Sequence, residues 1–243
     1  MRERERLDKI LVHMGTGSRS EIRRMARSGE IFVNGSPVKD ASIKIDPVHD
    51  EIVVRGERIV FREFIYIMMN KPAGVISATE DGKEKTVVDL LDRSLQHFRP
   101  FPVGRLDKDT TGLMLLTNDG KLAHQLLSPK HNVAKTYEAV VTGKVTEQDI
   151  RRFEEGVTLK DGYTTRPAKL EVMAADDDKE RSLVHVTITE GKYHQIKRMF
   201  ASIGKKVLSL KRLTLGPLRL DPALKEGEYR ELTKAETEML RRL

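Results

Sequence analysis

Cysteine is absent from the 243 residues. That removes disulfides, thiolate nucleophiles and cysteine-ligated metals, and it suits a reducing compartment. No apolar run approaches the length of a membrane span, and the opening Met1-Arg2-Glu3-Arg4-Glu5-Arg6 alternates in charge where a secretory leader would be apolar. Around His124 and His131 no carboxylate or further histidine stands at metal-ligand spacing. The expectation is a soluble cytoplasmic protein with no metal and no membrane contact.

Acid is also missing where base is dense. Between Gly191 and Leu220 stand eight cations, Lys192, Lys197, Arg198, Lys205, Lys206, Lys211, Arg212 and Arg219, and not one carboxylate. The whole chain carries a formal net charge of +7, but the local imbalance says more. Such a segment repels itself unless it meets phosphates, so a nucleic-acid partner outranks a merely solvated face. With 38% hydrophobic residues the chain can build one good core and a smaller second one.

The smaller one reads as residues 1–60. Leu7, Ile10, Leu11 and Met14 recur at helical spacing, and Gly15 and Gly17 stop that helix. Ser18 and Glu21 are spaced as a capping box for a second helix through Arg27, which carries Arg19, Arg23, Arg24 and Arg27. Asn34-Gly35 signals a hairpin, with further strands near Ile43 and Glu51 to Val54. The charged stretch Arg55 to Arg62 is expected to be a short mobile hinge.

Residues 61–243 form the larger part. Ile65 to Met69 reads as a buried strand feeding the Pro72-Gly74 loop, and Thr86 to Leu91 as a short helix. The centre is Val103 to Gly120. A Gly104-Arg105-Leu106-Asp107 turn presents a carboxylate, Leu113 to Leu116 anchor it by burial, and Asp119-Gly120 suggests a closing turn. A helix over Lys121 to Leu127 ends at Ser128-Pro129. A strand over Lys135 to Val141 and a capped helix from Thr146 to Phe153 follow. Strands at Val157 to Leu159, Ala168 to Met173 and Ser182 to Thr189, with an acidic turn Asp176-Asp177-Asp178, point to a mainly antiparallel sheet. Ile196, Met199, Phe200 and Ile203 make one apolar helix stripe, and Gly216 to Leu220 with Glu228 to Thr233 closes the domain with a strand and a helix.

Three strings in order carry a resemblance: Gly104-Arg105-Leu106-Asp107 with Thr110 and Gly112, Lys135-Thr136-Tyr137, and Tyr193-His194-Gln195-Ile196-Lys197-Arg198-Met199-Phe200. With Asn70-Lys71-Pro72-Ala73-Gly74-Val75 they resemble pseudouridine synthases of the RsuA/RluB/RluE/RluF branch. Residues 6–38 are similar to the S4 RNA-binding domain. The implied fold is α+β: a small S4-like α/β RNA-binding module over 1–60 and a mainly antiparallel mixed-sheet pseudouridine synthase catalytic domain over 61–243.

The resemblance implies that Asp107 is the catalytic residue, that Lys197 pairs with it and that Tyr137 packs on the target base. Arg105 is expected to fill the vacated stack or bind a phosphate. It implies RNA contacts at Arg19, Arg23, Arg24, Arg27, His194, Arg198 and Lys71. Asp109 shares the face of Asp107 if the segment is extended but does not match the catalytic position. A carboxylate beside a cation stays ionised and can act as nucleophile or base. The implied reaction detaches uracil from ribose at N1, turns it and rejoins it through C5, with no cofactor. The expected substrate is 16S ribosomal RNA or a small-subunit assembly intermediate, with 23S RNA as the alternative target and a noncatalytic ribosome-assembly factor as the alternative class. Monomer is the default state.

Overall fold

Residues 4–176 and 180–242 are described in the computed structural model, so Asp177 and Asp178 of the expected acidic turn lie outside the described residues. The chain divides into two compact units, one of Met1–Ile65 with Asp92–Pro100 and one of Tyr66–Leu91 with Phe101–Leu243.

In the first unit, strand β1 (Glu5–Arg6) leads into helix α1 (Leu7–His13), which buries Leu7, Ile10 and Leu11. Helix α2 (Arg19–Arg27) begins with the full capping box: Ser18 Oγ accepts from the Glu21 amide and the Glu21 carboxylate accepts from the Ser18 amide. Its Ile22, Met25 and Ala26 face the core and its arginines face outward. Strands β2 (Ile31–Val33) and β3 (Ser36–Pro37) close over Asn34 and Gly35, whose φ values of 51° and 74° are those of the primed hairpin turn. Strand β4 (Lys44–Ile45) pairs with β1. Strand β5 (Ile52–Val54) pairs with β2 and with β6 (Glu57–Ile59), giving the order β3-β2-β5-β6.

The expected hinge at Arg55 to Arg62 is therefore corrected. Arg55 and Gly56 take φ of 52° and 82° and form the two-residue turn between β5 and β6. Arg55 in the left-handed region is uncommon for its type, so local sequence gave no turn signal. Asp92–Pro100, which contains helix α3 (Arg93–Gln96), packs with this first unit although sequence order assigns it to the larger part. The close fit is at Gly15, where a Cβ would stand 2.7 Å from His97 Nδ1.

In the second unit, β7 (Tyr66–Lys71) is buried at every residue, as a central strand should be. A 3₁₀ turn covers Val88–Leu90, β8 (Phe101–Pro102) follows, and β9 (Thr111–Thr117) is buried from Gly112 onward. Helix α4 (Gly120–Leu127) starts where a turn was expected, because Asp119 Oδ1 accepts from the Leu122 amide at 3.0 Å and caps it. Then come β10 (Lys135–Thr142), α5 (Glu147–Glu155), β11 (Lys169–Asp176), β12 (Arg181–Ile188), α6 (Gln195–Ser202) and β13 (Val207–Arg212). A small hairpin of β14 (Thr214–Leu215) and β15 (Leu218–Arg219), then β16 (Tyr229–Glu231) and α7 (Lys234–Arg241), complete it. Val157 to Leu159 is not a strand; it makes a single bridge, Thr158 to Thr164.

The main sheet has the order β11-β12-β10-β13-β9-β7-β16, with β8 paired to β9. Among the described residues of this sheet only β13 and β9 run parallel, in the register Lys211 to Thr111 and Arg212 to Gly112. Gly112 is required there. A Cβ on it would lie 2.3 Å from the Arg212 carbonyl oxygen and 2.6 Å from its nitrogen, and its φ of 100° excludes other residues without strain. Phe153 of α5 and Phe200 of α6 meet with ring centroids 5.0 Å apart. Among the described residues no helix is long and apolar enough to cross a membrane.

Candidate active site

The loop between β8 and β9 is tied down from both ends. Val103 N–H donates to the Leu115 carbonyl at 2.8 Å, and Thr110 N–H donates back to the Asp107 carbonyl at 3.0 Å, closing a tight turn with Asp107 at its head. The segment after β7 holds the outer side. Ser77 Oγ donates to the Leu106 carbonyl at 2.9 Å and accepts from the Leu106 amide at 3.0 Å, while Gly74 N–H donates to the Lys108 carbonyl at 2.8 Å.

Lys71 completes the fastening, which corrects its expected role as an RNA contact. Its side chain is fully buried, and Nζ donates to the carbonyls of Pro72 and Thr110 at 3.0 Å and of Asp107 at 3.2 Å. It lines no part of the cavity that opens beside Asp107. Burial pushes its pKa down to about 8, against the pull of Asp109 and Asp107.

Helix α6 supplies the facing charge. His194 at its N-cap is in the left-handed region (φ 48°) and turns its ring to the loop, with Nε2 3.5 Å from Asp107 Oδ1. One turn on, Lys197 Nζ stands 3.1 Å from Asp107 Oδ2, and closer still to Asp109, at 2.6 Å and 2.9 Å from its two oxygens. Burial works against the lysine's charge, but the hydrogen bonds from its ammonium to Asp109 and Asp107 outweigh it and raise its pKa. The same bond lowers the pKa of Asp109. Sequence reasoning paired Lys197 with Asp107 and missed Asp109 as its second partner; the segment is a turn and not extended, and the turn brings both carboxylates to the lysine.

Beside this cluster opens a cavity of about 740 Å³ walled by Arg105, Asp107, Tyr137 and His194, and an adjoining recess of about 90 Å³ shares those four residues. The larger space is of the size of small-ligand sites and admits a nucleotide. Tyr137 is 8% exposed and sits at the wall of both. Gln195, 4% exposed, braces the start of α6: Nε2 donates to Glu190 Oε1 at 2.8 Å and Oε1 accepts from the Lys192 amide at 2.9 Å. Sequence reasoning gave Gln195 no role, because its partners come from the loop just before it.

The remaining expected RNA contacts lie elsewhere. Arg198 is paired with Asp161 and donates to the Tyr193 carbonyl at 3.4 Å. Arg19, Arg23, Arg24 and Arg27 are exposed on α2 in the first unit, where Arg23 also lies 3.7 Å from the buried Asp8.

Residues 65–202 match the RNA pseudouridylate synthase family and residues 5–52 the S4 domain. The chain is 51% identical over 235 residues to the RNA pseudouridine synthase YtzG of Bacillus subtilis, covering 97% of this chain and 98% of that protein. It is 40% identical to the ribosomal large subunit pseudouridine synthase B of the same species (98% and 96% covered) and 40% identical to the ribosomal small subunit pseudouridine synthase A of Haemophilus influenzae (97% and 99% covered). A crystal structure of a pseudouridylate synthase, 39% identical, matches with a TM-score of 0.67 over 97% of this chain and 99% of that one. The chain belongs to the RNA pseudouridylate synthase family and carries an S4 domain ahead of its synthase domain.

Proposed function

We propose that this enzyme converts one uridine of ribosomal RNA to pseudouridine, with Asp107 as the reacting carboxylate. The observation that carries the reading is the Asp107–Lys197 pair at 3.1 Å, with Asp107 on the wall of a nucleotide-sized cavity and Lys197 in the recess beside it. The ammonium holds the carboxylate in place, and the carboxylate is 29% exposed, so an extruded nucleotide can reach it. The reaction is an isomerisation. The bond from ribose C1′ to N1 breaks, a bond from C1′ to C5 forms, the C5 proton leaves and N1 takes one up. Nothing is consumed, so Asp107 must act and be restored within one turnover. Tyr137 stacks on the base and holds it while it is detached. Arg105 takes the space the base vacates in the RNA or binds an adjoining phosphate.

Arg19, Arg24 and Arg27 of α2 give the S4 domain a basic face for structured RNA, read through backbone and shape. With a ribosomal substrate the working compartment is the cytoplasm, and the monomer is the acting form. For the target we put 16S RNA first, because the string Tyr193 to Phe200 resembles the RsuA type. The relative named for the large subunit is as similar, at 40% identity, which supports 23S RNA as the second reading. Mapping pseudouridine in both RNAs from cells with and without the gene tests this. One site in 16S RNA that depends on the gene is the expected result. A gene-dependent site in 23S RNA moves the target, and no change in either RNA contradicts the proposal.

A further inference from the structure

Arg212, at the end of β13, carries its charge into the second unit without a counter-ion. It is 2% exposed, its Nε donates to the Leu113 carbonyl at 2.7 Å, a terminal nitrogen lies 4.0 Å from the Met114 sulfur, and among the described residues no carboxylate pairs with it. Burying an unpaired guanidinium is costly, and a fold tolerates it most readily where a ligand brings the anion. Lys135 on β10 is in the same position: its Nζ donates to the Val133 carbonyl at 3.0 Å and no carboxylate pairs with it among the described residues. Burial lowers its pKa, and the charge of Arg212 lowers it further, so the two cations face one another.

Both side chains line the 740 Å³ cavity that holds Asp107. Their register explains why. Arg212 stands directly opposite Tyr137 in the β10–β13 ladder, and Lys135 is two residues before Tyr137, so all three project from one face of the sheet. Of the other charges at the cavity wall, Arg105, Lys192 and Arg166 are exposed to solvent, and the rest are engaged. Lys197 and His194 face Asp107, Lys108 is paired with Glu84 at 2.7 Å, and Glu190 accepts from Tyr163 and Gln195. Arg212 and Lys135 are the unneutralised wall cations drawn out of solvent, and the Cβ atoms of Arg212 and Tyr137 stand about 5 Å apart by the spacing of directly opposed residues. That is comparable with the reach from a nucleobase to its own backbone.

We propose that Arg212 and Lys135 form a phosphate subsite that seats one phosphodiester flanking the target nucleotide and so brings its base onto Tyr137. The proposal rests on the pseudouridine synthase reading and adds to it the group that positions the nucleotide. A guanidinium suits the task because its planar fork grips phosphate oxygens in a fixed direction, while the lysine adds a point charge.

The test uses a short RNA spanning the mapped uridine, made with a neutral methylphosphonate at the linkage on its 5′ or its 3′ side. With the full-length wild type, one of the two is expected to raise KM about tenfold and to change kcat less than about twofold. Lys135→Gln should raise KM for the unmodified RNA by a similar factor and be insensitive to that same methylphosphonate. Its slope of log Kd on log salt should fall by about 0.7, the share of one phosphate on a single strand. Arg212→Lys, which keeps the charge but loses the fork, should show the same selective insensitivity. If both variants are penalised by each methylphosphonate as much as the wild type is, and the salt slope is unchanged, the subsite does not exist. If the wild type fails to turn over the unmodified RNA, the enzyme reading itself falls, and the subsite with it.

Discussion

The ammonium of Lys197 lies 3.1 Å from Asp107 Oδ2 and 2.6 Å from Asp109 Oδ1, so one cation bridges two carboxylates of unequal standing. Asp107 faces the cavity; Asp109 is 72% exposed and does not line it. Lys197→Met is therefore expected to lower the single-turnover rate about 100-fold, as loss of a preorganised charge at a reacting group does. Asp109→Asn should cost less than about tenfold, since it only loosens the lysine. Equal losses in the two variants would mean that the bridge, not the pairing with Asp107, is what matters.

Gly112 holds the parallel crossing of β9 and β13 beside the loop. Gly112→Ala drives a methyl group to 2.3 Å from the Arg212 carbonyl oxygen at a φ of 100°. Backbone must move to relieve it, and the expected loss is about 2 to 4 kcal/mol in denaturant unfolding, with turnover falling because the Asp107 loop leads directly into β9. Wild-type stability in this variant would contradict the close approach.

Lys71 gives a pH-dependent signature. Its folded pKa is about 8, below the 10.5 of an ordinary lysine. Between those values the unfolded chain binds the proton more tightly, so folding becomes more favourable as pH rises through that window. Relative to Lys71→Met, the wild type should gain up to about 3 kcal/mol between pH 8 and pH 10.5. Parallel stability curves for the two proteins would contradict the burial of this ammonium.

The arginines of α2 should behave as phosphate contacts. Arg24→Ala and Arg27→Ala are each expected to weaken RNA binding about two- to tenfold irrespective of flanking sequence and to leave kcat at saturating RNA unchanged. Filter binding across a salt series measures both the loss and the reduced slope. Arg23→Ala should in addition lower stability, because it removes a cation 3.7 Å from the buried Asp8.

Where signals were local, the sequence was informative. The Ser18–Glu21 capping box, the Asn34-Gly35 hairpin and the apolar stripe of α6 each depend on residues within one or two turns of each other, and each formed where expected. The pairing of Lys197 with Asp107 spans ninety positions and came from resemblance, not from periodicity. Most of what escaped notice was non-local, Gln195 with its partners Glu190 and Lys192 excepted. Lys71 is buried because carbonyls at Asp107 and Thr110, far along the chain, form its cradle. Asp92–Pro100 joins the first unit because His97 fits over Gly15. The hairpin at Arg55-Gly56 escaped for the opposite reason: the turn is local, but arginine is a poor marker of positive φ.

Asp107→Asn, which alters a carboxylate only 29% exposed without changing its size, tests the central claim most directly. Incubated with the target RNA, the variant is expected to bind within a few-fold of wild type and to form no pseudouridine above background, a loss of at least about 10⁴-fold. Pseudouridine formed by this variant at a rate near that of wild type would contradict the assignment of Asp107 as the reacting group.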